Sequence, residues 1–100
     1  MYIVTYRFTL PPDNTKEYIM IEQKAIQIYL EHGCLGVEIY RDSENPRKWL
    51  EVNRFLDQKH LDDVVAAVEE DTRIASLFDE FLSLFDNNRA PEKDTYIRML

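Results

Sequence analysis

Apolar and polar side chains alternate along the first ten residues, MYIVTYRFTL. Tyr2, Val4, Tyr6, Phe8 and Leu10 therefore share one side of an extended strand, with Ile3, Thr5, Arg7 and Thr9 on the other. Pro11 and Pro12 end that strand. Asn14, followed three residues later by Glu17, has the form of a helix start whose free N–H groups are met by side chains, and the helix is expected to run to about His32 and stop at Gly33. Tyr18, Ile21, Ala25, Ile28 and Tyr29 follow helical spacing, and Ile19, Ile26 and Leu30 widen the stripe, so this helix should be covered on more than one side.

Residues Cys34 to Arg41 and Arg47 to Phe55 read as two strands, joined into a hairpin by the polar turn Asp42-Ser43-Glu44-Asn45-Pro46. Asp57 can cap a second helix with Leu61, Val64, Val65 and Val68 on its apolar face, and the pattern breaks near Glu70 and Asp71. Ile74, Leu77, Phe78, Phe81, Leu82 and Phe85 then repeat at three- and four-residue steps, which predicts a third helix with this face in the core. Asp86 to Asp94, with Asn87, Asn88 and Pro91, reads as a loop, and Thr95 to Leu100 as a last strand.

The order β-α-β-β-α-α-β is that of an α+β, ferredoxin-like fold, a split repeat whose right-handed crossovers put all helices on one face of a four-stranded antiparallel sheet. A chain of 100 residues has room for one core, so residues 1–100 are expected to form a single domain. The helix-free face should not be fully wetted, because both sides of the first strand carry large apolar groups, as do both sides of the third: Trp49 and Phe55, Leu50 and Val52. A symmetric homodimer through that sheet face would bury it, with Arg7, Glu38, Glu51, Arg54 and Arg98 as candidates for ion pairs along the seam.

Composition narrows the partners. The net charge is −7 with basic residues mostly isolated, which argues against nucleic acid and against an anionic membrane surface. No apolar run approaches the ~20 residues needed to cross a bilayer, the first residues lack the form of a secretory signal, and the single cysteine suits a reducing compartment, so a cytoplasmic location is expected. Cys34 alone can form neither an internal disulfide nor a cysteine-rich zinc site, and is expected to be a small buried residue. Asp62-Asp63 and Glu69-Glu70-Asp71 diverge around a helix and read as a solvated face, so no metal is expected.

Gly33-Cys34-Leu35-Gly36, then Glu38, Tyr40-Arg41, a turn, and Leu50-Glu51-Val52 leading to Phe55 resemble the hairpin of the antibiotic-biosynthesis-monooxygenase superfamily, the dimeric α/β barrels. The element order matches across nearly the whole chain. The resemblance implies a small apolar or aromatic molecule held between sheet and helices. It also implies a possible monooxygenase activity on an aromatic or quinol-like compound, by deprotonation and direct reaction with O2 without any cofactor. The alternatives are a non-catalytic ligand-binding or assembly module and a heme-degrading protein. The last is disfavoured: Tyr6 stands where that branch carries Asn, no Trp follows Phe55, and His60 comes too early to match the heme ligand.

Tyr6 and Trp49 are the first candidates for ligand contact, with Tyr2, Tyr29 and Tyr40 as further aromatic residues that could line the same cavity. The candidates for proton transfer are Tyr6, His60 and His32, although many presumed oxygenases of the group carry a His where Val64 and Val65 stand here. His32, at the end of the first helix, is also explained by the helix dipole, and His60 is expected to face solvent.

Overall fold

A computed structural model describes residues 1–85 and 91–100. Strands β1 (Tyr2–Thr9), β2 (Gly36–Arg41), β3 (Lys48–Phe55) and β4 (Glu92–Ile97) form one antiparallel sheet in the order β2-β3-β1-β4. Helices α1 (Thr15–Glu31), α2 (Gln58–Glu70) and α3 (Ile74–Leu82) supply the rest, and the ferredoxin-like α+β arrangement is as the sequence predicts.

Several boundaries differ from expectation for local reasons. A short 3-10 turn, Pro12–Asn14, precedes α1, and the Asn14 side chain caps nothing; its Nδ2 donates to the Leu84 carbonyl at 2.9 Å, tying the helix start to the segment after α3. The helix ends where Gly33 takes φ 102°, the left-handed conformation that lets the Gly33 and Cys34 N–H groups reach the Leu30 and Tyr29 carbonyls. Asp57 does cap α2, accepting from the His60 N–H at 2.8 Å.

β4 begins at Glu92 rather than Thr95 and stops at Ile97. Its first residues are held by pairing with Arg7, Tyr6 and Thr5 of β1, not by an apolar pattern of their own. Of the expected loop, residues 86–90 lie outside the described residues. α3 stops at Leu82, short of Phe85, and the predicted apolar face is not all core: Leu77 is buried, whereas Phe78 and Leu82 are exposed. Asp71, expected on a solvated face, is drawn inward by Arg73 at 2.8 Å and His32 at 2.9 Å, which pins the α2–α3 break to the end of α1.

Strand register assigns the two faces. Tyr2, Val4, Tyr6 and Phe8 stand beside Phe55, Asn53, Glu51 and Trp49 respectively, and all eight lie on the side that the helices cover. One core cluster joins Val4, Ile21, Ile28, Phe55, Val64 and Val68. A second joins Phe8, Leu10, Tyr18 and Trp49, with Phe8 edge-on to Tyr18 at 5.4 Å and Tyr18 edge-on to Trp49 at 5.1 Å.

The opposite face carries Ile3, Thr5, Leu50, Val52, Tyr40 and Tyr96. It is crossed by ion pairs within the chain, Arg54 to Glu38 at 2.7 Å and Arg7 to Asp94 at 2.9 Å. Glu51 does not belong to this face, because strand parity turns it toward the helices, and Arg98 bonds instead to the Leu100 carbonyl.

Among the described residues, the buried Tyr18 hydroxyl and Trp49 indole N–H have no hydrogen-bond partner. An unmet buried donor is a cost, so Tyr18→Phe is expected to leave stability unchanged or raise it by about 1 kcal/mol. Phe55→Ala, which empties a fully buried site, is expected to lose about 3–5 kcal/mol. Urea titrations of the two variants beside the parent chain check both.

Candidate functional site

Between the sheet and α1, α2 and α3 lies a cavity of about 310 Å³, within the size range of small-molecule sites. Its walls are mainly apolar: Val4 and Phe55 from the sheet, Ile21 and Ala25 from α1, Leu61 and Val65 from α2, Ile74, Leu77 and Phe81 from α3. Exposed Phe78 and Lys93 also border it and mark its outer edge.

The polar groups of the cavity come from two sources. On the sheet, Glu51, Tyr6 and Lys93 form a row across three adjacent strands, with Asn53 beside Val4 in the next row but one on the same face. On α1, Tyr18, Glu22, Ala25 and Tyr29 follow one another at four-, three- and four-residue steps, so a glutamate lies within the stripe that packs on the sheet. Glu22 is buried, and its carboxyl lies against that of Glu51.

Two carboxyl groups in such contact favour retention of a proton between them. Burial, then the charge of Glu51 and the hydrogen bond to it, raise the Glu22 carboxyl far above the usual carboxylate range. Burial also raises Glu51, while the hydrogen bond from Glu22 opposes that rise. The two carboxyls accordingly share one proton and one charge as a pair.

The neighbouring phenols are pushed the other way from ionisation. Tyr6 is raised by burial and then by Glu51, and Tyr29 by burial and then by Tyr6 and both glutamates, so both keep their O–H protons as hydrogen-bond donors. Asn53 is only 5% exposed and lines the cavity.

The residues singled out in the sequence are thus scattered. Tyr6 and Tyr29 border the cavity. Trp49 does not: it is buried in the second core cluster, with Arg41 5.9 Å from its ring centroid. Tyr40 lies on the helix-free face, bonded to Glu38 at 3.0 Å, because residues 36, 38 and 40 of β2 point away from the helices. Tyr2 donates to Gln58 at 2.9 Å, away from the lining.

Neither histidine is among the lining residues. His60, half-buried rather than solvent-facing, accepts the Leu56 N–H on Nδ1 at 2.9 Å and packs edge-on against Phe55. His32 is engaged by Asp71. The Cys34 thiol is buried and donates to the Gly36 and Arg54 carbonyls, and burial raises it above its ordinary range, an inert arrangement. Sequence reasoning missed Glu22, Glu51 and Asn53; the available signal was a carboxylate inside a helical apolar stripe.

The sequence matches the family model described as antibiotic biosynthesis monooxygenase over residues 1–69. No curated protein matches it. Among solved structures, it is similar to a conserved protein of Methanosarcina mazei Go1 at 19% identity and a TM-score of 0.77, covering 95% of this chain and 89% of that one. The cofactor-independent oxygenase SnoaB of Streptomyces nogalater aligns at 11% identity and 0.76, covering 99% and 93%. A candidate antibiotic biosynthesis monooxygenase of Nitrosomonas europaea aligns at 12% identity and 0.79, covering 100% of both chains. At such identities these structures share the fold with this chain. No helix among the described residues is long and apolar enough to cross a membrane.

Burial of the carboxyl pair sets a pH dependence. Below the ordinary carboxyl range, folded and unfolded chains both hold the Glu22 proton, and this group costs nothing. As pH rises, the unfolded chain ionises while the folded chain retains the proton, so stability falls until the folded carboxyl titrates. Glu22→Gln is expected to flatten that slope and to raise stability near pH 8 by about 2 kcal/mol, allowing for coupling within the pair. Denaturation midpoints measured from pH 5 to 9 check it, and an unchanged slope would refute the shared proton.

Proposed function

The chain belongs to the antibiotic biosynthesis monooxygenase family, and from that membership we propose that it is a single-domain, cofactor-independent monooxygenase whose cavity holds an aromatic or quinol-like compound. The observation that carries the reading is the cavity itself: about 310 Å³ of space between the sheet and the helices, bordered by the phenols of Tyr6 and Tyr29. Packing alone gives no reason to leave such a space, since interiors are close-packed and a void forfeits contacts on every wall.

The reaction needs only substrate and O2. Loss of a proton from an activated CH2 flanked by aromatic rings leaves an electron-rich carbanion. O2 accepts its electrons, one oxygen atom becomes the new C=O, and the other leaves as water with both hydrogens of the former CH2. The protein's part is to hold the ring system, exclude bulk water, take up the proton and stabilise the enolate oxygen with donors such as the Tyr6 hydroxyl. SnoaB, described as a cofactor-independent oxygenase, supports by analogy a reaction that uses O2 without a cofactor.

Proteins of this family commonly pair and bind small molecules. We propose likewise that two copies join through the helix-free sheet face, where Tyr40 and Tyr96 are half-exposed beside Ile3, Leu50 and Val52. The ion pairs Arg54–Glu38 and Arg7–Asp94 are already satisfied within each chain, so the apolar strip between them can be buried without stranding a charge. The proposed location is cytoplasmic.

With anthrone as probe under air, the expected result is uptake of one O2 per anthrone and formation of anthraquinone above the protein-free rate. Ala25→Phe, which fills the cavity, is expected to lower both turnover and anthrone binding at least tenfold. Binding without O2 uptake would leave a ligand-binding module, and binding unaffected by Ala25→Phe would remove the site. In sedimentation, the parent chain is expected to run as a dimer and Val52→Glu as a monomer; a monomeric parent would refute the pairing.

A further inference from the structure

The cavity contains a polar arrangement that its apolar walls do not require. Glu22 from α1 and Glu51 from β3 both line it, their carboxyls against one another. Asn53, buried and two residues along the same side of β3, lines it as well. Burying the Glu22 carboxyl, with Glu51 half-buried against it, costs stability. A hydrophobic core would place Leu or Met at these positions.

We propose that the Glu51 carboxylate, backed by Glu22, is the acceptor for a ligand's hydroxyl group, and that the cavity thereby selects neutral phenolic or enolic compounds over carboxylates of the same ring skeleton. This rests on the reading of the cavity as an aromatic-binding site. The pair carries one charge and one proton between its two carboxyls, and that proton lets both stay together beside the apolar walls. Asn53 supplies both a donor and an acceptor beside them.

The chemistry follows from the charge count. A neutral O–H donates to an ionised carboxylate in a charge-assisted bond, stronger than one between neutral groups. An anionic ligand brings a second negative charge into the same enclosure and is repelled. When the bound hydroxyl gives up its proton, that proton goes to the carboxyl pair, both carboxyls become neutral, and the one negative charge moves onto the ligand oxygen. No oxidant enters that step. The groups facing the pair are Tyr6 from β1, Tyr18 and Tyr29 from α1 and Lys93 from β4; Lys93 is exposed at the edge, so the enclosed neighbours are phenols.

The test compares three probes of one skeleton by calorimetry near pH 7: 2-naphthol, 2-naphthoate and 2-methylnaphthalene. The expected order is naphthol about tenfold tighter than methylnaphthalene, and naphthoate weaker than either. Glu51→Gln is expected to cut the naphthol-to-naphthoate ratio at least tenfold while leaving methylnaphthalene binding in place, which also reports that the cavity is intact. Should that variant fail to fold, the parent chain answers alone: its naphthoate affinity is expected to rise as pH is lowered and the pair takes its second proton.

Infrared spectra of the parent chain at neutral pH are expected to show a protonated carboxyl band that Glu22→Gln removes. If naphthol and methylnaphthalene bind equally and the ratio ignores Glu51→Gln, this proposal is wrong while the aromatic site stands. If none of the three binds, the site and the proposal fall together. Absence of the infrared band in the parent chain overturns the shared proton.

Discussion

Two carboxyl groups enclosed together cannot both stay ionised without a cation beside them, and the interior of this chain is arranged around that constraint. Glu22 and Glu51 come from different elements, so their contact requires α1 to lie across β3 at one particular rotation. The same rotation places Ala25 and Tyr29 over the sheet. Small Ala25, where a Leu would have closed the gap, leaves the space that the pair borders. Cavity and carboxyl pair are consequences of one helix placement.

The placement is held from outside the cavity. Gly33 turns the chain sharply at the end of α1, and the His32–Asp71–Arg73–Glu31 network ties that end to the junction of α2 and α3. At the other end Asn14 reaches the Leu84 carbonyl. Phe8, Tyr18 and Trp49 fill the core beside the cavity, so the aromatic residues closest in kind to a ligand-binding set serve as its solid wall. The histidines, too, are structural: one meets a backbone N–H, the other an aspartate. Catalytic capacity, where proposed, rests on carboxyls and phenols.

The fold was legible in the sequence wherever periodicity was clean. β1, α1, the hairpin and α2 all follow from spacing, and Asp57 was identifiable as a cap. β4 was not, because Glu92-Lys93-Asp94 has no apolar alternation and is a strand only because β1 offers it partners. The site was harder. Which side Trp49 or Tyr40 occupies depends on hairpin register, and a shift of one residue exchanges the faces. Glu51 and Asn53 were hidden for the same reason, as polar residues between Trp49 and Phe55 look like the solvent side of a strand until parity places all four inward. Glu22 could have been found: it falls between Tyr18 and Ala25 on a face that has to be buried.

The charges of β4 have one more effect. A sheet ordered β2-β3-β1-β4 leaves unpaired backbone along its two outer strands, and any extended peptide could add there. On one side the margin is Glu92, Lys93 and Asp94, with Arg7 drawn across to their carboxylates; an incoming strand would have to strip water from this dense set of charges. Growth by stacking strand against strand is thereby discouraged along that margin.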